Sequence, residues 1–421
     1  MYVSEHEIHK GRTIASIYFF MQGLASLIPI NTIISTLDFY TDRFPTASPS
    51  FTFPLACFTS NVILILIMVY IKKNFSLNFR VPFSLFVMTL LLLGMPIIAV
   101  NMPHSLTGLW IILGFQFVSG AFNTISNATV VGLAGHFPSH YIAKNSTGAS
   151  VSGLLSNILR GVLLIFFPYG TSETHSIYEI LIYYITAAVA LMICIILHYK
   201  FIYSDYAAIT LPLDNLPPSK RPDELSESRL TIILDDQQHV VAVSMTAWEN
   251  AIDNFQELWR VLKHLKMLLF IMVINNTISA SMYPGVMLKK PVTYLDPAWK
   301  IVVFAGVFNL FNSLGKFSTI FKGLVCKTVL GMVTGLRLIF LFTFVIEATT
   351  LHFPVIDTEW FFYINVALFA LTDGFVTSSV FILCPTKVHG HDKEIAGFLS
   401  LQGLLFGFTI GTYCALLFRN L

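Results

Sequence analysis

Apolar runs of 20 or more residues recur along nearly the whole chain, and this dictates the solvent in which it folds. A stretch of about 18 apolar-dominated residues is long enough to cross the hydrocarbon core as a helix. Inside lipid every backbone N–H and C=O must find a partner within the protein, which leaves only helices or closed barrels. No series of alternating strands of about ten residues appears, so a barrel is excluded. The composition agrees: 55% of residues are hydrophobic and 11% charged, against roughly 25% charge in an average soluble domain. Mean hydropathy is +0.73. The 421 residues therefore predict an all-α polytopic membrane protein rather than two or three soluble domains.

Counting such runs predicts eleven transmembrane helices in a six-plus-five arrangement. The first six cover approximately 13–36, 52–71, 81–101, 107–134, 146–167 and 177–199; the last five cover roughly 265–287, 299–321, 325–350, 360–384 and 394–418. The expected units are a six-helix bundle over 1–200, a loop over 201–262 and a five-helix bundle over 263–421. The first run is too long for a signal-peptide core and lacks a small-residue cleavage site, so it stays as a span.

Orientation follows from the basic residues. With the N-terminus cytoplasmic, the inner segments hold Lys10, Arg12, Lys72, Lys73, Arg80, Lys144, the central-loop cations, Lys322, Lys327, Lys387 and Lys393. The outer side keeps Arg43, Lys289, Lys290, Lys300 and Arg419. This bias places the N-terminus inside and, with an odd span count, the C-terminus outside. The central loop begins as a Pro- and acid-rich linker over 214–238. A capping box at Thr246 to Glu249 then opens an amphipathic segment with Trp248, Ile252, Phe255, Trp259 and Leu262 on one face, expected as an interfacial helix leading into span seven.

No Walker A loop, His-Glu-x-x-His, Gly-x-Ser-x-Gly or dinucleotide fingerprint is present, so no catalytic residue, metal or cofactor is expected. The five cysteines lie in or beside apolar runs without ligand spacing and read as packing residues. His136, His140, His389 and His391 flank cytoplasmic turns as exposed polar residues. Four charges nonetheless fall inside predicted spans: Arg160, Lys316, Arg337 and Asp373. Charge at membrane depth is costly and marks function by default. Around them lie the amides Asn31, Asn123, Asn127, Asn157, Asn275, Asn276, Asn309, Asn312, Asn365 and Gln402. Any one amide serves to join helices; ten beside buried charges imply a polar cavity between two halves, the layout of a transporter with a midplane site.

Several segments resemble the equilibrative nucleoside transporter family. Gly23-Leu-Ala-Ser-Leu-Ile-Pro-Ile-Asn31 resembles its span-one Gly-Leu-Gly-Thr-Leu-Leu-Pro-Trp-Asn. Asn127-Ala-Thr-Val-Val-Gly-Leu-Ala-Gly135 is similar to its Gln-Gly-x-x-x-Gly-Leu-Ala-Gly, and Ser152-Gly-Leu-Leu-Ser-Asn-Ile-Leu-Arg160 to its Ser-Gly-x-x-x-x-x-Leu-Arg. Phe308-Asn-Leu-Phe-Asn-Ser-Leu-Gly-Lys316 resembles Phe-Asn-x-x-Asp-x-x-Gly-Arg, Arg337 falls in an Arg-Leu pair, and Thr372-Asp-Gly-Phe375 resembles Ser-Asn-Gly-Tyr. Glu394-Ile-Ala-Gly397 and Leu417-Phe-Arg419 are similar to the last span.

The resemblance implies facilitated diffusion of nucleosides, or nucleobases, by alternating access in a fold like the major facilitator superfamily. Carried over by position, it implies substrate contacts from Leu27, Ile30, Asn127, Asn309, Asn312 and Lys316, with Asn127 reading the base edge. Amides read such edges bidentately in nucleic acids. A monomer in the lipid bilayer is expected, without a nucleic-acid partner; the plasma membrane is the default location, with an organellar membrane as the alternative. The departures are specific: Ile30 replaces a Trp, Asn127 a Gln, Asn312 an Asp, Lys316 an Arg, and Asp373 an Asn. The acid is thus displaced from span eight to span ten, where Asp373 is expected to face Lys316 or Arg160. Arg160 and Arg337 are expected as gating or charge-network residues, with Arg337 near the cytoplasmic end of span nine and tied to carbonyls or lipid head groups. The alternatives are a proton-coupled carrier using Asp373, or a membrane receptor or enzyme; the span count argues against a seven-helix receptor.

Overall fold

A computed structural model of the chain describes residues 5–74, 76–138, 140–211, 247–349, 356, 358–389 and 392–420, and these are helical apart from short turns. The first half comprises α1 (Glu5–Ser35), the short α2 (Leu37–Arg43), α3 (Pro49–Asn74), α4 (Leu77–Asn101), α5 (Leu106–Gly135), α6 (His140–Phe166), α7 (Glu173–Ile202) and α8 (Asp205–Thr210). The second comprises α9 (Ala247–Met282), α10 (Pro297–Phe317), α11 (Lys327–Leu336), α12 (Leu338–Ala348), α13 (Glu359–Thr386) and α14 (Asp392–Ala415). Side-chain oxygens of Ser105, Ser172, Asp296 and Thr358 accept from the first turns of α5, α7, α10 and α13. Such caps satisfy amide protons that no helical carbonyl reaches.

Among the described residues ten helices are long and apolar enough to cross a membrane, with 327–348 counted as one. This is one short of the eleven expected, because the described apolar stretch of α3 ends at Leu64. Two expectations are corrected. The amphipathic segment does not form a helix of its own: α9 runs unbroken through 36 residues from Ala247 to Met282. Its capping Thr246 and the 214–238 linker lie outside the described residues, as do the side chains of Trp248, Ile252 and Phe255; Trp259 is 47% exposed and Leu262 packs on the second-half core. Span nine, conversely, is broken in two at Arg337.

Lipid provides no hydrophobic drive between helices, so close packing needs small residues. Glycines supply it in equivalent places. A Cβ on Gly23 would overlap the Asn145 carbonyl and one on Gly148 the Phe20 carbonyl, locking α1 to α6. In the second half Gly407 and Gly411 meet backbone of Val273 and Thr277, joining α14 to α9, while Gly315 and Gly374 meet carbonyls of Leu371 and Asn312, joining α10 to α13. Each half encloses its own apolar core, centred on residues such as Tyr18 and Phe201, stacked at 4.3 Å, in the first and Met272 and Phe369 in the second. Across the seam Leu164 meets Ala298 and Val302, and Ala128 meets Leu401 and Leu405.

One rim of that seam is also tied by polar groups. Arg419 donates to Thr46 O at 2.7 Å and Ser48 Oγ at 3.1 Å, and Lys289 Nζ donates to Arg419 O at 2.6 Å. Phe51, from the start of α3, is buried in the second-half core beside Met282 and Val286.

Candidate functional site

Residues three and four apart share a helix face, so Asn309, Asn312 and Lys316 line one side of α10. Asn309 is half-buried at the seam, and a Cβ on Gly153 of α6 would overlap its carboxamide. Asn312 Nδ2 donates to Asp373 Oδ2 at 2.7 Å. The other carboxylate oxygen accepts from Asn275 Nδ2 at 2.8 Å and Ser279 Oγ at 2.5 Å, both on α9. Arg337 Nη2 stands 3.5 Å from the same oxygen.

The ion partner of Asp373 is therefore Arg337, where Lys316 or Arg160 was expected. Gly315 and Gly374 press α10 onto α13, and the adjacent Asp373 turns one carboxylate oxygen to Asn312 of α10 and the other to α9. Lys316 is half-buried and, among the described residues, has no carboxylate within 4.0 Å; Asp373 acts on it only from beyond contact. Arg337 is fully buried at the α11–α12 break, about 15 Å from either end of the span at 1.5 Å per residue. The expected position near the cytoplasmic end is corrected accordingly. Its Nη1 donates to Phe369 O at 2.6 Å and Thr372 Oγ1 at 2.8 Å, its Nη2 to Ser279 Oγ at 2.5 Å, and the guanidinium lies over the Phe369 ring at 4.6 Å. One planar cation thus ties three elements together.

Arg160 belongs to a second, separate cluster. Its Nη2 donates to Asp38 Oδ2 at 2.8 Å, and its Nη1 lies 2.8 Å from Glu179 Oε1. Four buried charges were read from the sequence; Asp38, Glu179 and Glu347 are buried acids it missed. Glu179 and Glu347 lie inside predicted spans, so the same cost argument applied to every acid would have found them, whereas Asp38 lies just beyond span one, on the short α2.

Leu27 is half-buried and Ile30 buried on α1, flanking Pro29, which cannot donate to the Ala25 carbonyl one turn back. Asn127 is half-buried, and its side chain forms no hydrogen bond among the described residues. Asn31 donates to Ser152 Oγ at 3.2 Å, and Asn157 to Gly153 O at 2.9 Å, so these amides join or brace helices. Gln402 is buried with neither amide atom partnered among the described residues. Tyr283 stacks on Phe308 at 4.0 Å, 4° from parallel, and contacts the cores of both halves. It places an aromatic face beside Asn309 that no motif announced. No group of three His, Cys, Asp or Glu side chains able to hold a metal occurs among the described residues.

The two helical halves meet along a seam where Asn309 of α10 abuts Gly153 of α6. The fold aligns with a bacterial homolog of the human lysosomal transporter Spinster, in an inward-facing and unoccupied conformation, at a TM-score of 0.57 and 13% identity, covering 97% of this chain and 82% of that one. Residues 113–420 match the nucleoside transporter family, and the chain belongs to that family. It is similar to Equilibrative nucleotide transporter 1 of Arabidopsis thaliana, 23% identical over 95% of this chain and 85% of the relative. To Equilibrative nucleoside transporter 1 of Homo sapiens it is 22% identical over 95% of this chain and 96% of the relative.

Proposed function

We propose that the chain carries nucleosides, and nucleobases in the same site, down their gradient by alternating access between its two halves. The observation that carries this reading is the polar face of α10, where Asn309 abuts Gly153 of the other half and Asn312 engages Asp373. A nucleoside offers a flat apolar base with a donor and acceptor edge and a hydroxylated sugar. Leu27, Ile30 and the Tyr283–Phe308 stack supply apolar surface; Asn127 and Asn309 supply amides for the edge; Asn312 and Lys316 face the polar remainder. Arg337 and Asp373 hold α9, the span-nine break and α13 in register around that face. No covalent step and no cofactor enters this scheme.

On this reading α3 is the second of eleven spans, the N-terminus is cytoplasmic, the C-terminus is outside, and a monomer works in the plasma membrane. The two-bundle division at 1–200 and 263–421, with 201–262 between, supplies the moving bodies. Uptake of radiolabelled adenosine, inosine, uridine and hypoxanthine into cells lacking endogenous uptake tests the function. Saturable, cross-competed entry is expected, and absence of flux for every purine and pyrimidine in correctly localised protein would overturn it.

A further inference from the structure

The Arg160 cluster is not part of the α10 face, and its charges do not balance. Asp38 and Glu179 have side chains 2% and 4% exposed, and one guanidinium, 1% exposed, lies between them. Asp38 Oδ1 has no hydrogen-bond partner among the described residues. Other charged groups nearby are already engaged at the rim: Arg43 with Glu173 at 3.6 Å, and Asp42 with the Tyr169 hydroxyl at 2.9 Å. From α7, Tyr183 donates to Ser156 O and Tyr184 meets Thr36 and Tyr40, so neither hydroxyl donates to the acids. Two ionised carboxylates against one cation leave a buried net charge of about −1, which a low-dielectric site does not retain without a counter-ion. A cavity of about 410 Å³, bordered by His104, Arg43 and Glu173, reaches all three groups from the face of the expected outer side.

We infer that Asp38, Arg160 and Glu179 form a proton-binding site, in which one proton is shared by the two carboxyl groups and exchanges through this cavity. The unpartnered Asp38 Oδ1 is the open acceptor, and Glu179 is the alternative seat on the other side of Arg160. Burial pushes the Asp38 carboxyl up from the ordinary carboxylate range while Arg160 pulls it back. The site bears on movement because α1 and α6 are linked immediately below it, through Asn31–Ser152 and Ser35–Asn157 at 3.4 Å. The link from this proton to transport rests on the carrier reading above; the binding of the proton does not.

Infrared difference spectroscopy of the purified, lipid-reconstituted protein across a pH titration tests the site without substrate. A carboxylic C=O band that appears on acidification is expected. Asp38→Asn and Glu179→Gln should each abolish it, because one carboxylate against one guanidinium is a balanced pair with no proton to take. A structural ion pair would give no such band in the unsubstituted protein, and that result overturns the proposal, as does a band that survives both substitutions. Proteoliposomes loaded with a pH dye then test coupling: substrate-dependent lumenal acidification is expected, lost in Glu179→Gln while substrate exchange persists. Substrate flux without proton movement would sink the coupling but leave the carrier reading intact, and a titrating band without any flux would sink the carrier reading but leave the proton site intact.

Discussion

Asn312 donates a 2.7 Å hydrogen bond to Asp373, so the two positions at which this chain departs from the family's acid–amide pattern touch each other. In the pattern that this chain resembles, the acid stands on the α10 side and the amide on the α13 side. Replacing Asp373 with Asn strands the Arg337 cation in the membrane, and removing one partner of a buried pair costs about 3–5 kcal/mol. Asp373→Asn is therefore expected to lower uptake at least tenfold, and Asn312→Asp alone to lower it through two adjacent carboxylates. The double substitution should recover to within about threefold of the unsubstituted protein, since each 1.4 kcal/mol is tenfold. Loss in the double variant equal to the larger single loss would refute the exchange.

Arg337 serves three helices with one fork. Arg337→Lys keeps the charge but cannot reach Phe369 O and Thr372 on one side and Ser279 on the other. We expect a thermal-shift midpoint several degrees lower in detergent and uptake reduced about tenfold, with the remaining flux showing an unchanged substrate ranking. A variant as stable and active as the unsubstituted protein would show that the fork is dispensable.

The glycines divide by what they meet. At Gly315 and Gly374 an added Cβ meets rigid backbone, so Gly374→Ala is expected to abolish surface expression. At Gly153 the nearest atoms it meets are those of the Asn309 carboxamide, which has rotamers available. Gly153→Ala should fold and reach the membrane, with maximal flux down about five- to tenfold because Asn309 is displaced from the seam. Fluorescence size-exclusion profiles alongside uptake distinguish the two outcomes.

Arg419 bridges the halves through Thr46 O and Ser48 Oγ. Arg419→Ala removes both bonds and one tie on a rim that must part if the site is to open on that side. Labelling of Leu288→Cys, which packs between the two cores, by an impermeant maleimide is expected to quicken severalfold in that background. An unchanged rate would mean that Phe51 and its apolar neighbours hold the rim unaided.

Much of this was legible in the chain. Apolar run length gave nearly every helix, because lipid admits few other solutions, and the charges at 160, 316, 337 and 373 marked both polar clusters. What periodicity could not supply was pairing. Arg160 and Asp373 are similar anomalies in sequence, yet one is matched by Asp38 and Glu179 and the other by Arg337, because side-chain direction depends on which glycines let which backbones touch. The break at Arg337 carried no Pro or Gly–Gly signal, and the continuity of α9 was obscured by a polar first third that resembled a loop.

That continuity reaches further than the count of spans. At 1.5 Å per residue α9 is a rod about 54 Å long. Near its N-terminal end Arg260 and His264 brace it against Asp392 and the Lys387 carbonyl, and Asn275 and Ser279 farther along grip Asp373. A torque applied at that end is delivered to the carboxylate at the heart of the second half with no joint between. Whatever pulls or twists the start of α9 holds a crank on the buried Arg337–Asp373 pair.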